Sequence, residues 1–231
     1  MVIVALTDIH GHTGRIGSIA EEISQADWIV LAGDLTDLGG EGPASAVIEA
    51  VAEINPHILA VPGNCDRVGA ASYLSLRGVN IDADARVIDG IGFVGLGGSL
   101  PCPHITPNEL SEEQMHSRLA QAHAALEPAT PFVLVSHEPP QNTLLDHARR
   151  GGHVGSRSVR EFILQAQPIL CLCGHIHEAR GTDTLGRSLL LDPGPLRDGH
   201  FARIVLARHG ATARVETYEL ADIGQAATPR W

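Results

Sequence analysis

Five times in this chain a short, unbroken apolar run ends directly in a turn carrying Asp, Asn or His. The first is Val2-Ile3-Val4-Ala5-Leu6, which runs into Thr7-Asp8-Ile9-His10-Gly11-His12. Trp28 to Ala32 precedes Gly33-Asp34, and Ile58 to Val61 precedes Pro62-Gly63-Asn64-Cys65-Asp66. Phe132 to Val135 precedes Ser136-His137, and Ile169 to Cys173 precedes Gly174-His175-Ile176-His177. An apolar run of this length, bounded by turn signals, reads as a strand buried on both faces. Segments of helical spacing separate the first three runs, and successive β-α units predict a parallel α/β sheet. In such sheets ligands bind outside the carboxyl ends of the strands. The polar tips are therefore expected to converge on one crevice.

The intervening segments fit this plan. Ile16, Ile19, Ala20 and Ile23 predict a helix from Gly14 to Gln25, with Thr13 as its N-cap. Helices are also expected over Pro43 to Ile54 and Gly69 to Leu76, and strands over Val79 to Ile81, Ala85 to Asp89 and Ile91 to Leu96. Asp89-Gly90 reads as a tight hairpin turn between the last two. Gly97 to Pro107 is a Gly/Pro-rich loop. Ser111 and Gln114 form a capping-box pattern that opens a helix running to about Leu126. Gln141 to Ser156 has no clear period, and Ser156 caps a helix from Arg157 to Ala166. Beyond His177 the chain alternates over Ala179 to Leu185, Arg187 to Asp192, Ala202 to Ala207 and Ala211 to Glu219, which predicts a β-meander. Residues 221–231 read as a polar tail of a single domain spanning 1–231.

Composition narrows the function. At 231 residues and 44% hydrophobic the chain can bury a large core, and its net charge of −11 argues against broad nucleic-acid or anionic-membrane binding. No apolar stretch reaches membrane-spanning length. No basic leader or cleavage site precedes the first strand. The four cysteines, Cys65, Cys102, Cys171 and Cys173, form no CxxC and read as free thiols in a reducing cytoplasm. Cys171 and Cys173 alternate along an expected strand, where core packing is their simplest role.

On an extended backbone Asp8 and His10 would point to the same side. A carboxylate and an imidazole placed this way suit a transition-metal ion of mixed oxygen and nitrogen preference. Each tip has a plainer reading alone: Asp34 as a turn cap, Asn64 in a left-handed turn, His137 as a satisfied core histidine. Their recurrence at one sheet edge favours a shared site. Asp8, His10, Asp34, Asn64, His137, His175 and His177 make seven ligands, too many for one ion with an open catalytic position. They suit two ions about 3.5–4 Å apart, the arrangement used for in-line displacement at phosphorus.

Asp8-x-His10, Gly33-Asp34, Gly63-Asn64-x-Asp66, His137 and Gly174-His175-x-His177 together resemble the calcineurin-like metallophosphoesterase family, from residue 2 to about residue 195. The resemblance implies an αββα sandwich of two mixed β-sheets flanked by helices, with a dimetal site at the strand C-terminal ends. It implies that Asp8, His10 and His177 hold the first metal, that Asp34 bridges, and that Asn64, His137 and His175 hold the second. The cofactors are then two divalent transition-metal ions drawn from Mn, Fe, Zn or Ni. The partner is a small phosphoester, and relatives suggest a homodimer. The expected reaction is phosphodiester hydrolysis by in-line attack of a metal-bridging hydroxide. A phosphomonoesterase and a non-catalytic interaction scaffold of the same fold are the rivals.

One departure bears on mechanism. Many family members carry His after the Asn, where it assists the leaving group; here the residue is Cys65, and the GNCD form resembles bacterial and archaeal phosphodiesterases. A thiol with a pKa near 8.5 is a poor substitute acid. His12, His104 and His153 are the candidates to replace it, His12 being closest in sequence to the site, so that Asp34, Asn64, His137 and His12 are the expected catalytic residues. His153 precedes a helix whose N-terminus could receive a phosphate, though a plain capped loop is favoured. Solvent exposure is favoured for His104. Arg67 could clamp a phosphate oxygen or sit in a surface salt bridge. Asp192-Pro193-Gly194 resembles the family's NPG turn with Asp for Asn, and reads as structural.

Overall fold

The apolar runs become strands whose two faces are both covered. The computed structural model describes residues 1–149 and 151–224. Its first half runs β1 (Val2–Leu6), α1 (Thr13–Gly17), α2 (Ala20–Gln25), β2 (Trp28–Ala32), α3 (Glu41–Ala52), β3 (Ile58–Val61), α4 (Val68–Leu76), β4 (Ala85–Ile88) and β5 (Ile91–Leu96). The second half runs α5 (Glu112–Ala124), β6 (Phe132–Ser136), β7 (His147–Ala148), β8 (Gly152–His153), α6 (Arg157–Ala166), β9 (Leu170–Leu172), β10 (Gly181–Leu185), β11 (Ser188–Asp192), β12 (His200–His209) and β13 (Thr212–Asp222).

One sheet has the order β13-β12-β1-β2-β3 and the other β10-β11-β9-β6-β5-β4. β1, β2 and β3 are parallel, with β12 and β13 added antiparallel. In the second sheet β5, β6, β9 and β11 are parallel, and β4 and β10 form antiparallel edges. The strand period of two sorts the side chains into layers. Ile3, Ala5, Val30, Leu59 and Val61 meet Phe93, Val133, Val135, Leu170 and Leu172 between the sheets. Val4, Leu6, Ile29 and Leu31 face the other way, against Ile16, Ile23, Val47, Ile48 and Val51 of the helices. Met115, Leu119, Val159 and Ile163 of α5 and α6 cover Val94, Leu96, Leu134 and Cys171. The expected αββα sandwich of two mixed sheets is therefore present. Each fully buried Leu, Ile, Val or Phe contributes about 1.5–3 kcal/mol.

The caps at Ser111 and Ser156 form as their sequences predict. Ser111 accepts from Gln114 N while Gln114 Oε1 accepts from Ser111 N at 2.8 Å. Ser156 Oγ accepts from Val159 N at 3.1 Å.

Five expectations need correction. The helix over Gly14 to Gln25 is two short helices, because Ile19 leaves helical geometry at φ −120°, ψ 28°. Thr13 lies inside α1, and His12 takes the N-cap without a side-chain bond. Ile16, Ile19 and Ile23 are buried all the same, so the apolar spacing reported the face and not the break. The last four strands are not one meander: β10 and β11 join the second sheet, whereas β12 returns to pair with β1. Val79 to Ile81 makes only a single bridge, Asn80 to Ala60. The segment expected as a tail begins inside β13, which runs to Asp222, and residues 225–231 lie outside the described residues.

Asp192 ends β11 and turns the chain. Its Oδ1 accepts from Gly194 N at 2.7 Å, while Oδ2 is buried without a partner. Burial, reinforced by the charge of Asp8, pushes its pKa well above the ordinary value. A carboxyl raised on folding contributes fully below its unfolded pKa of about 3.9, and that contribution is lost as pH climbs toward the folded value. Asp192→Asn keeps the turn's acceptor and removes the charge. It is expected to raise the thermal midpoint of metal-free protein by about 3–6 °C at pH 8 and by little at pH 4.5. Equal gains at both pH values would show that ionisation of Asp192 is not the cause.

Candidate metal centre

The polar tips meet through loop geometry, not through strand alternation. β1 ends at Leu6, so Asp8 and His10 lie beyond it, at φ +52° and +47°. Asp34 and His175 are also left-handed, at φ +48° and +70°. The expectation that Asp8 and His10 share one face of an extended strand is thus corrected. The loops after β1 and β2 keep pairing through Asp8 N to Gly33 O (3.1 Å), His10 N to Asp34 O (3.0 Å) and Gly11 N to Leu35 O (2.8 Å). Alternating left-handed residues between these bonds turn both side chains inward. The glycines leave room for them. A Cβ on Gly63 would overlap the Asp34 carboxylate, and one on Gly174 would overlap Thr7 Oγ1.

All seven predicted ligand residues are brought to one crevice. His177 Nε2 lies 3.1 Å from Asp8 Oδ1 and 3.4 Å from His10 Nε2. Asp34 stands between two sets of imidazoles. Its Oδ2 is 3.7 Å from His10 Nε2 and its Oδ1 is 3.4 Å from His137 Nε2. His137 Nε2 is 2.9 Å from Asn64 Oδ1, and the His137 and His175 rings lie edge to face at 5.1 Å. Supporting bonds aim these groups. Thr7 Oγ1 donates to Asp8 Oδ2 at 2.8 Å, His175 N donates to the same oxygen at 3.1 Å, and Cys65 N donates to Asp34 Oδ1 at 2.8 Å. His137 Nδ1 is 2.9 Å from the Ala32 carbonyl, a contact that leaves Nε2 free of its proton. Asp66 ties the second and third loops together by accepting from Gly63 N, Leu35 N, Thr36 N and Thr36 Oγ1.

The electrostatics suit cations. Burial holds His10 down to about 4 and His175 down to about 3, so both present lone pairs at neutral pH. Burial works against ionised Asp8, yet the hydrogen bond from His177 and the nearby imidazoles hold its carboxyl well below the usual range. Burial pushes Asp34 up to about 6, with the charges of Asp8 and Asp66 adding to the rise. Packed carboxylates, imidazoles and the Asn64 oxygen form a donor set for metal ions of mixed preference. Among the described residues, ligand atoms fall within 4.8 Å of one another in three groups: Asp8, His10 and His177; His10, Asp34 and Cys65; Asp8, Asp34 and His137.

Among the described residues, none of the remaining candidates bonds to the seven predicted ligand side chains through its own side chain. His12 is exposed at the start of α1, and His104 is exposed in the Gly/Pro loop. His153 Nδ1 pairs with buried Asp146 at 2.7 Å beside the small β7–β8 hairpin, inside the segment that showed no period. The N-terminus of α6 is filled by Glu112, which accepts from Arg157 N at 2.8 Å and Ser158 N at 2.9 Å, so the capped-loop reading holds there. Arg67 Nε donates to the Leu38 carbonyl at 2.7 Å. Three neighbours of the crevice carried no role in the sequence reading. Cys102 Sγ is 3.6 Å from His175 Nε2, Glu138 Oε2 is 3.9 Å from the same nitrogen, and Arg197 Nη2 is 3.0 Å from His177 Nδ1. Burial pushes Glu138 up to about 8. Only the adjacency of Glu138 to His137 could have drawn notice, since Cys102 and Arg197 sit in irregular loops.

The pattern of the calcineurin-like phosphoesterase family matches residues 1–179, well over half of the chain. The chain belongs to the calcineurin-like phosphoesterases. It is 38% identical over 201 residues to the uncharacterised protein MJ1162 of Methanocaldococcus jannaschii, covering 84% of this chain and 88% of that one. Among solved structures, TT1561 of Thermus thermophilus superposes with a TM-score of 0.71 at 19% identity, covering 96% of this chain and 98% of that one. A structure described as a novel archaeal phosphodiesterase superposes at 0.52 and 17% identity, covering 93% and 98%. These two likenesses show the shared fold. Calcineurin-like phosphoesterases use a dimetal centre, and the side chains gathered here offer groups able to hold ions. Among the described residues, no helix is long and apolar enough to cross a membrane.

Proposed function

We propose that this calcineurin-like phosphoesterase is a two-cation phosphodiesterase acting on small phosphoesters. Asp8, His10 and His177 would hold one ion, Asn64, His137 and His175 the other, and Asp34 would span both. The observation that carries this reading is Asp34 itself, whose two carboxylate oxygens face opposite imidazole sets at 3.7 and 3.4 Å. When bound, the cations supply charge for the phosphoryl oxygens and a water acidic enough to act near neutral pH. The protein's own groups fix where that happens. Thr7 and His175 N orient Asp8, the Ala32 carbonyl orients His137, and Cys65 N orients Asp34. Asn64 offers an uncharged oxygen beside His137, where a phosphoryl group can also be positioned.

The diester preference rests on Cys65. Burial, with the charge of Asp34, pushes its thiol up, so it is a poor proton donor to a leaving alkoxide. Cys65→His is expected to raise monoester relative to diester activity by about tenfold or more, since a positioned acid contributes about 10²–10⁴. Measured kcat/KM values for mono-aryl and bis-aryl phosphates give the ratio. An unchanged ratio would remove the leaving-group argument.

The reaction itself is tested with chelator-stripped protein. It is expected to be inert, and to regain bis-aryl phosphate hydrolysis with Mn²⁺, Fe²⁺, Zn²⁺ or Ni²⁺ at two ions per chain. Nucleotide 2′,3′-cyclic phosphates and mono-aryl phosphates in the same panel define the substrate class. Protein that binds no transition metal and stays inert across the panel would instead be a scaffold.

A further inference from the structure

Arg197 occupies the short turn Leu196–Asp198, just past the Asp192-Pro193-Gly194 corner. That turn is laid against the first metal-side loop. Leu196 N donates to Thr7 O at 2.9 Å and Arg197 N to Asp8 O at 3.4 Å. Arg15 Nε donates to the Arg197 carbonyl at 3.2 Å and holds the turn from outside. Among the described residues, the guanidinium's closest carboxylate contact is loose, 4.0 Å to the exposed Asp198, and its closest polar contact is His177 Nδ1, at 3.0 Å.

A guanidinium has five donors and no acceptor, so it can bond to Nδ1 only when that nitrogen is bare. The ring proton then sits on Nε2 and points at Asp8 Oδ1, 3.1 Å away. A cation held through Nε2 needs the opposite tautomer, with the proton on Nδ1. Metal-ligating histidines normally give that proton to a carbonyl or carboxylate. Here a fixed positive charge stands in the acceptor's place, and two donors would face each other. We propose that Arg197 is the phosphate-binding side chain of the crevice, and that its bond to His177 and cation binding through His177 Nε2 exclude each other. Displaced from His177, a planar fork anchored beside Asp8 matches the paired oxygens of a phosphoryl group. This rests on the two-cation reading above.

The test uses the full chain with Arg197→Met and Arg197→Lys. Calorimetry measures Mn²⁺ binding to stripped protein, then inorganic phosphate binding to Mn²⁺-loaded protein. Arg197→Met is expected to tighten Mn²⁺ by about fivefold or more, since a competitor for Nδ1 is gone. It is expected to weaken phosphate by about tenfold or more, with Arg197→Lys recovering part of that loss through charge alone. Phosphate affinity indifferent to Arg197, or both affinities falling together as they would if Arg197 merely propped His177, would overturn the proposal. Wild-type protein that takes up no Mn²⁺ would overturn the two-cation reading and this proposal with it.

Discussion

Asp34→Ala is expected to lower kcat/KM for a bis-aryl phosphate by about 10³-fold or more, which at 1.36 kcal/mol per decade is about 4 kcal/mol of lost transition-state stabilisation. The size follows from position. Asp34 is the residue whose oxygens face both imidazole sets, so under the proposed assignment removing it would take a ligand from each ion at once. Metal content should fall below two ions per chain in the same preparation. The fold should survive, because the buried carboxylate is pushed up to about 6 and is no asset to metal-free protein at neutral pH. Wild-type turnover in Asp34→Ala would remove the bridging assignment and the mechanism with it.

Asp66→Ala is expected to act on stability first. The Asp66 side chain is 1% exposed and accepts four hydrogen bonds, from Gly63 N, Leu35 N, Thr36 N and Thr36 Oγ1. Truncation leaves these donors facing a cavity, at about 1–3 kcal/mol for each buried group left unpaired. Relaxation recovers part of that, so a net loss of about 3–5 kcal/mol is expected, the range for breaking a buried charged contact. For a chain of this length each kcal/mol is about 2–4 °C, so the midpoint should drop by about 10 °C. Activity should fall as well, since Asp66 joins the loop carrying Asp34 to the loop carrying Asn64. A midpoint within about 2 °C of wild type would show that these donors find other partners.

The crevice was legible because its parts are local. Each tip follows its own apolar run, and strand ends of parallel units lie at one edge of their sheet. The expected single sheet is corrected to two, with Asp8, Asp34 and Asn64 following strands of the first and His137, His175 and His177 following strands of the second. Capping at Ser111 and Ser156 was equally local, since the donor and acceptor lie three residues apart. What escaped the sequence depends on distant partners. The alternation of β10 to β13 says that each is a strand but not which sheet it joins, and β12 is drawn to β1 by a pairing about 200 residues away in sequence. Thr13 looked like a cap because Ile16, Ile19 and Ile23 keep one face through the break between α1 and α2. Arg197 reaches His177 from a turn with no periodicity. The i, i+2 spacing of Asp8 and His10 gave the right neighbours for the wrong geometric reason, since both lie past the strand in left-handed loop conformations.

Those left-handed residues set a conflict at the level of selection. A non-glycine residue held at positive φ costs of order 1–3 kcal/mol, and Asp8, His10, Asp34 and His175 all carry it. Glycine would relieve each position while deleting the side chain that the crevice is built from. Directed evolution for thermal endurance alone, with no demand for turnover, should therefore drift toward glycine first at His10, whose Nδ1 is buried without a partner, and at Asp34, whose carboxyl burial pushes up, while the bonds from Thr7 and His175 N retain Asp8.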